Sequence, residues 1–172
     1  GYNVVVFLSR DDNHYNTVSV RHILIKTEKS ADGTYTDESK AAAKARAEEI
    51  LAEFNSGDKT EDSFAELANK YSEDEGSNTN GGLYENIAKG QMVQEFNDFC
   101  FADHKAGDTG IVYGESSSYA GYHVMYFVGE GEQYSDYLAK NSLLTTDMNA
   151  WLEELTSAYE TSVGSGISFV GK

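Results

Sequence analysis

The chain has 172 residues, of which 40% are apolar and 12% aromatic, and its formal net charge is −16. This apolar content is enough for a packed core and argues against an intrinsically disordered chain. The negative charge argues against nucleic acid and anionic membrane surfaces as partners, because both are bound by clustered lysine and arginine. The one cysteine, Cys100, rules out a disulfide framework, and its place between Phe99 and Phe101 predicts a small buried residue.

The first elements in chain order are two strands. Residues 2–9 contain a β-branched and aromatic run that ends in a polar turn. A second strand is expected at residues 17–26, where period-two alternation puts Val20, His22 and Leu24 on one face.

Two helices should follow. The first is expected to begin near Thr36, whose hydroxyl can cap it, and to end at Gly57, and the second follows Thr60. Their apolar residues recur at helical spacing, namely Ala43, Ala47, Ile50 and Phe54 in the first and Phe64, Leu67, Ala68 and Tyr71 in the second. Residues 73–82 then form a polar, glycine-rich loop.

The rest of the chain alternates short elements and ends in a longer one. We expect a short strand, a short helix and two strands at residues 83–84, 92–100, 110–113 and 122–128. Beyond residue 130, an amphipathic helix carries Leu144, Met148, Trp151, Leu152, Leu155 and Tyr159, and residues 167–170 could form a closing strand. This mixture predicts the α+β class, with an antiparallel sheet flanked by helices.

Two histidines lie in apolar runs at opposite ends of this unit. His22 stands in Val-Arg-His-Ile-Leu-Ile, and His123 stands in Gly-Tyr-His-Val. A histidine in a buried strand has two ring nitrogens that need partners, so a facing pair would share a proton in a hydrogen-bonded chain. Between them come, in order, the segments Phe64-Ala65-Glu66-Leu67-Ala68 with Tyr71-Ser72, Gly81-Gly82-Leu83, and Gly90-Gln91-Met92-Val93 with Phe96.

In order and spacing these segments resemble the parvulin family of peptidyl-prolyl cis-trans isomerases, over about residues 19–129. The resemblance implies a parvulin-like four-stranded antiparallel sheet flanked by helices, and the residue pattern adds an extra N-terminal strand and a C-terminal amphipathic helix outside it. It implies three parts: an N-terminal extension at residues 1–17, an isomerase domain at 18–130 and a helical extension at 131–172. No cofactor and no metal are expected.

The resemblance also implies an apolar seat for the proline ring, formed by Leu83, Met92 and Phe96. The residues agree, since Met92 and Phe96 are one helical turn apart and share a face. Both are expected to be half exposed in the pocket. The alternative for all three is ordinary core packing.

The resemblance implies a polar floor opposite that seat. His22 and His123 match the paired histidines of the family, and we favour a supporting role for them over general-base chemistry, which amide rotation does not require. Asp74 falls where the family carries cysteine or aspartate, and Ser118 falls where a threonine is frequent. The chain departs from the family at two positions, with Ala120 where a serine is frequent and Tyr84 in place of the usual glycine after Leu83. The alternatives are a pair of core histidines and a loop aspartate that faces water.

Two metal sites are disfavoured by spacing. Asp74, Asn78 and Glu85 match the first, fifth and twelfth positions of an EF-hand loop, but Gly76 and Thr79 occupy the third position and the glycine position. Zinc held by His22, His123 and Asp74 conflicts with the implied mutual contact of the two histidines.

The expected clients are proline-containing polypeptides without phosphate. Lysines 26 and 29, which follow the second strand, are outnumbered by nearby acids at Glu28, Asp32, Asp37 and Glu38. The chain has no run near the ~20 apolar residues of a membrane span. It resembles the extracytoplasmic foldases of Gram-positive bacteria, so we expect an extracytoplasmic location and a membrane anchor outside this sequence.

Two other function classes stay open. A non-catalytic parvulin-like chaperone or peptide-binding module would keep the proline seat without useful turnover. A purely structural domain of a surface protein would have no affinity for proline peptides.

Overall fold

The computed structural model of the chain describes residues 12–116, 119–157 and 159. Along the described residues the elements are β1 (Asn16–Lys26), α1 (Asp37–Ser56), α2 (Glu61–Tyr71), β2 (Leu83–Ile87), α3 (Gln94–Cys100), β3 (Thr109–Glu115), β4 (Ala120–Gln133) and α4 (Tyr134–Ser157). The strands expected at residues 2–9 and 167–170 lie outside the described residues. The chain divides into two units, Gly1–Tyr134 and Ser135–Lys172.

The four strands form one antiparallel sheet in the order β2-β1-β4-β3, which confirms the predicted α+β class and sheet. The central strands, β1 and β4, come from opposite ends of the first unit. In their register His22 is opposite Met125, and Leu24 is opposite His123. Because side chains two residues apart share a face of a strand, both histidines project from the same face at the centre of the sheet.

Helices cover the two faces of the sheet unequally. On one face α1 and α2 pack against the odd-numbered residues of β1 and the even-numbered residues of β4. That cluster contains Ile23, Ile25, Val124 and Tyr126 from the sheet, Ala43, Ala47, Ile50 and Phe54 from α1, and Phe64 and Ala68 from α2. These are the helical faces that the spacing predicts. Phe64 is fully buried, and burial of such a side chain contributes roughly 1.5–3 kcal/mol.

On the opposite face, the short helix α3 is the one helix that packs on the sheet among the described residues of the first unit. Its buried side chains Phe96, Phe99 and Cys100 pack against Val20 and Met125. Cys100 is buried as predicted, and burial raises the pKa of its thiol to about 12. Since α3 spans seven residues, part of this face is left open beside the two histidines.

Local capping accounts for the helix limits. The Thr36 hydroxyl accepts a hydrogen bond from the backbone N–H of Ser39 at the start of α1, and Gly57 follows its end. At the start of α2, Thr60 and Ser63 exchange hydrogen bonds in a capping box. Each cap satisfies backbone groups that a helix end leaves unpaired, a contribution of about 1 kcal/mol.

The second unit is described through α4, a helix of 24 residues with no buried residue. It begins at Tyr134, ten residues before the first apolar position from which it was predicted, and β4 runs to Gln133, past the expected domain limit at residue 130. Large apolar side chains are exposed along it, among them Leu143, Met148 and Trp151. No helix within the described ranges is long and apolar enough to cross a membrane.

Candidate active site

A cavity of about 780 Å³ opens on the sheet face that α3 covers only in part. Its walls include His22, His123, Asp74, Met92 and Phe96, five of the residues that the sequence singles out. Ligand sites in proteins typically have volumes of roughly 300–1,000 Å³, so this cavity can hold several residues of a peptide.

The two histidines meet at the floor of the cavity. The Nδ1 atoms of His22 and His123 are 3.0 Å apart, their ring centroids are 5.2 Å apart, and each residue is 3% exposed. Their rings therefore face each other from neighbouring antiparallel strands, as expected. A contact of this length between two ring nitrogens requires that one donates and the other accepts.

The loop after α2 brings Asp74 to His22 by running along β1 on the side where β2 pairs with it. The backbone N–H of His22 donates to the Gly82 carbonyl at 2.9 Å, and that of Leu24 donates to the Ser72 hydroxyl at 3.1 Å. The Glu73 N–H donates in turn to the Leu24 carbonyl at 2.9 Å. This pairing extends the ladder beyond the end of β2 and places Asp74 next to the histidine ring.

Asp74 is the acceptor at the centre of the polar floor. Its Oδ2 atom receives hydrogen bonds from His22 Nε2 at 2.9 Å, from the Ser77 hydroxyl at 2.6 Å and from the Tyr84 hydroxyl at 3.1 Å. The bond from His22, reinforced by those from Ser77 and the Gly76 N–H, holds the pKa of the Asp74 carboxyl well below its usual range despite partial burial. Asp74 is thus a carboxylate that accepts only.

His123 lies at the other end of the pair and stays neutral. Burial, with a smaller effect from the neighbouring His22, lowers its pKa to about 3. Its Nε2 atom is 3.2 Å from the hydroxyl of Tyr119, which also lines the cavity. One continuous chain of hydrogen bonds therefore runs from Tyr84 through Asp74, His22 and His123 to Tyr119.

The apolar wall differs from the expected one at one residue. Met92 and Phe96 line the cavity, and the Phe96 ring centroid is 5.5 Å from that of His22, edge to face. Leu83 does not line it, whereas its neighbour Tyr84 does, with its ring centroid 5.2 Å from that of His22. The reason is the register of β2, which pairs Tyr84 with Val20 and Leu83 with Arg21, so that Leu83 projects from the other face.

Phe96 is also more buried than expected. It is 3% exposed and belongs to the core cluster under α3, whereas Met92 is half-buried. Phe96 is therefore a core residue and a cavity wall at once.

The remaining predicted positions have different outcomes. Ser118 lies outside the described residues. Ala120 lines the cavity and has no hydroxyl to offer. Among residues 12–116 and 119–157, no group of three or more histidine, cysteine or acidic side chains could hold a metal ion.

Two polar residues of the site, Ser77 and Tyr119, were not predicted. Ser77 has a detectable signal, because Asp74 and Gly76 form a turn in which the Gly76 N–H donates to Asp74 Oδ1 at 3.2 Å, and this turn carries Ser77 back to Asp74. The sequence signal for Tyr119 is weaker. This residue stands between Ser118 and Ala120, where only the two flanking positions had a counterpart in the family pattern.

Comparison with known proteins gives consistent matches. Residues 2–128 match the family described as PPIC-type PPIASE domain. The chain is 35% identical over 114 residues to Foldase protein PrsA 3 of Bacillus cereus, an alignment that covers 66% of this chain and 32% of that protein. It is 32% identical over 136 residues to Foldase protein PrsA 1 of Listeria innocua, covering 76% of this chain and 38% of that protein.

A more distant relative is Chaperone SurA of Chromohalobacter salexigens, 32% identical over 148 residues, with 80% of this chain and 30% of that protein covered. The chain therefore spans about a third of the length of these curated relatives.

Solved structures show the same fold. The crystal structure of PrsA from Bacillus subtilis superposes with a TM-score of 0.53 at 23% identity, covering 87% of this chain and 52% of that chain. A PrsA peptidylprolyl isomerase from Bacillus cereus gives a TM-score of 0.51 at 25% identity, covering 90% and 54%.

Proposed function

The chain belongs to the family of PPIC-type peptidyl-prolyl isomerase domains, and on that premise we propose that its cavity catalyses rotation about X–Pro bonds of unfolded, unphosphorylated polypeptides. The observation that carries the proposal is the juxtaposition of an apolar wall and a polar floor in one cavity. Met92 and Phe96 supply the wall, and the hydrogen-bonded chain from Asp74 to His123 supplies the floor.

The reaction makes and breaks no bonds. Rotation about the amide costs ~18–20 kcal/mol because the twisted state loses resonance, whereas the two X–Pro isomers differ by only ~0.5–1 kcal/mol. Catalysis therefore requires groups that bind the twisted amide better than the planar one. An apolar wall can hold the proline ring in place while fixed dipoles of the floor face the amide that turns.

Each floor residue has a proposed role. Asp74 fixes the His22 ring by accepting from Nε2, and His22 fixes the His123 ring through the Nδ1 contact. We assign these three residues to orientation and electrostatics, because amide rotation transfers no proton. Ser118 is proposed as a further hydroxyl of the floor on the family pattern alone.

The unphosphorylated client class is supported by the charges at the cavity mouth. Lys26 and Lys29 line it, but so do the carboxylates of Glu73, Asp74 and Glu75. A phosphate dianion would meet more negative than positive charge there. With a net charge of −16, the chain is proposed to act on polypeptides and not on nucleic acid.

We also propose that the chain works outside the cytoplasm, with a membrane tether outside this sequence. The support is its similarity to foldase proteins of Bacillus and Listeria. The tether is proposed from the resemblance alone.

The second candidate function is a peptide-binding module without useful turnover. Ala120, which removes a hydroxyl from the cavity, and Tyr84, whose ring narrows it, favour this alternative. A binder would hold proline peptides as well as an enzyme does, so affinity alone does not separate the two.

A protease-coupled assay on an Ala-Pro peptide, with binding of the same peptide followed by titration, tests the proposal. We expect turnover by the parent protein and a loss of about tenfold or more in Asp74→Asn, since a neutral amide accepts more weakly than a carboxylate and must set its NH2 group against either these three donors or the Gly76 N–H. Glu75→Gln removes the same charge from the same loop and should retain activity. Binding without turnover would favour the peptide-binding module. The absence of both binding and turnover would favour a structural domain.

A further inference from the structure

Tyr119 ends the hydrogen-bonded chain on the side of the cavity. Its backbone is fixed by the turn between β3 and β4, where the Ser116 N–H donates to the Tyr119 carbonyl at 2.8 Å and the Tyr119 N–H donates to the Ser116 hydroxyl at 3.3 Å. Its ring is half-buried and lies edge-on to His123 at 5.9 Å between centroids. Its hydroxyl is thus held between His123 and the space that a peptide would occupy.

The direction of each bond in the chain can be worked out from its two ends. Asp74 is a carboxylate and only accepts, so His22 Nε2 carries a hydrogen. In the neutral pair, His123 Nδ1 must then donate to His22 Nδ1. That leaves a lone pair on His123 Nε2, and Tyr119 donates its proton to it.

Adding one proton to the histidine pair reverses the direction of the hydrogen bonds from His22 to Tyr119. With hydrogens on both nitrogens of His22, the proton at Nδ1 donates to His123 Nδ1, and His123 carries its hydrogen on Nε2 instead. His123 Nε2 then donates to the Tyr119 oxygen, and the phenolic O–H of Tyr119 is free to point into the cavity. In this state His22 and Asp74 form an ion pair, with His22 Nε2 2.9 Å from Asp74 Oδ2.

A hydrogen-bond donor in the cavity can assist amide rotation because the prolyl nitrogen changes its ability to accept a hydrogen bond. In a planar amide the nitrogen lone pair is delocalised and accepts no hydrogen bond. As the amide twists, the lone pair becomes localised on the nitrogen and can accept one. A donor placed there makes an interaction that exists only in the twisted state, which is the condition for raising kcat.

We propose that Tyr119 is a catalytic residue of this chain, whose hydroxyl, oriented by His123, donates to the prolyl nitrogen of the twisting X–Pro bond. This role rests on the proposed isomerase function. The cavity has no hydroxyl at position 120, and the phenol of the preceding residue supplies one that reaches His123.

The test is Tyr119→Phe, which removes one oxygen and keeps the ring. Tyr122→Phe is the matched control, because Tyr122 lies three residues further along the chain, in β4, but packs on Tyr113 with a ring distance of 5.0 Å and does not line the cavity. With an Ala-Pro peptide, we expect kcat of Tyr119→Phe to fall about three- to tenfold, the worth of one hydrogen bond, with KM unchanged. Tyr122→Phe should match the parent protein in both.

The outcomes separate the two proposals. A parent protein without turnover would refute the isomerase function and this role with it. An active parent with an equally active Tyr119→Phe would refute the role alone, and so would a raised KM at unchanged kcat, which marks ground-state binding. Equal unfolding midpoints for the three proteins exclude a general loss of structure as the cause.

A second readout concerns the proton on the histidine pair. The ionisable groups that face this chain are Asp74 from the loop, Tyr84 from β2 and Glu95 from α3. Because Tyr119 donates into the cavity only while the pair holds the added proton, the advantage of the parent over Tyr119→Phe should be smaller at the alkaline end of a pH series than at its acid end. An advantage that does not change with pH would overturn the control by the histidine pair.

Discussion

The ring nitrogens of His22 and His123 approach to 3.0 Å, so the space between them holds one proton. Neither residue reaches bulk water, since each is 3% exposed. The pair therefore acts as a single hydrogen-bonded unit that joins two strands from opposite ends of the domain. A substitution in either strand that moves its histidine therefore alters the hydrogen bonding of the other histidine. Several measurements can detect this coupling.

The first prediction concerns acid stability. His123 is buried with a pKa lowered to about 3, whereas an unfolded histidine has its ordinary value of 6.5. The unfolded state thus binds more protons between these values, and the stability present above pH 6.5 is lost as pH falls, by at most about 1.4 kcal/mol per pH unit. Urea unfolding at a series of pH values should show a smaller slope in His123→Gln than in the parent protein. His14→Gln, the same change at an exposed histidine, is the matched control. Parallel curves for His123→Gln and parent would contradict the neutral buried state.

The second prediction separates the cavity wall from the core. Met92 is half-buried and lines the cavity, so Met92→Ala should lower kcat/KM by more than its effect on stability suggests. Phe96→Ala should instead destabilise the fold by roughly 3–5 kcal/mol, because Phe96 is 3% exposed. Met148→Ala makes the same change as Met92→Ala on the exposed face of α4 and should alter neither quantity. If Met92→Ala unfolds the domain while retaining full turnover, Met92 is core and not wall.

The third prediction addresses the residue before proline. A Glu-Pro peptide should have no rate advantage over Ala-Pro or Leu-Pro, because Lys26 and Lys29 at the cavity mouth are balanced by Glu73 and Glu75. Any attraction by the lysines is screened within about 10 Å at 0.1 M salt. The comparison requires kcat/KM for the three peptides at low and moderate salt. A Glu-Pro preference that fades with added salt would overturn the unphosphorylated client class.

The fourth prediction tests the contact between the glycine-rich loop and β1. Gly82 has φ +69°, and a Cβ atom there would lie 2.1 Å from the His22 carbonyl oxygen. Gly33 has φ +83° with nothing within 4 Å of its Cβ position. Both alanine variants carry the strain of positive φ, of order 1 kcal/mol, but only Gly82→Ala must push the loop away from β1. We expect Gly82→Ala to lose turnover and Gly33→Ala to retain it. Equal activities would show that the loop tolerates displacement.

The helix limits could be predicted from sequence because they depend on neighbouring residues. Thr36, Gly57 and Thr60 act on backbone groups within four positions of themselves, so the local sequence contains the whole signal. The facing of His22 and His123 depends on strand order, and it was available only through the resemblance to a known family.

The prediction of the cavity lining was wrong where strand register determines which side chain faces the cavity. Leu83 and Tyr84 exchange places relative to the cavity, because β2 pairs Tyr84 with Val20 and Leu83 with Arg21. A shift of one residue in the pairing moves every side chain of a strand to the other face of the sheet. The five residues of β2 are too few for their sequence pattern to reveal which register is adopted. Tyr119 was missed for a similar reason, since its direction is set by the turn between β3 and β4.

The burial of Cys100 has a practical consequence for spectroscopy. With a pKa of about 12, its thiolate fraction near neutral pH is on the order of 10⁻⁵, and its sulfur is closed off beneath α3. Maleimide reagents will therefore not label the folded protein, in which Cys100 is the one cysteine. A cysteine introduced at an exposed position beside the cavity, such as Glu75, would be the single labelled site. Fluorophore attachment there can report on peptide entry without first replacing Cys100.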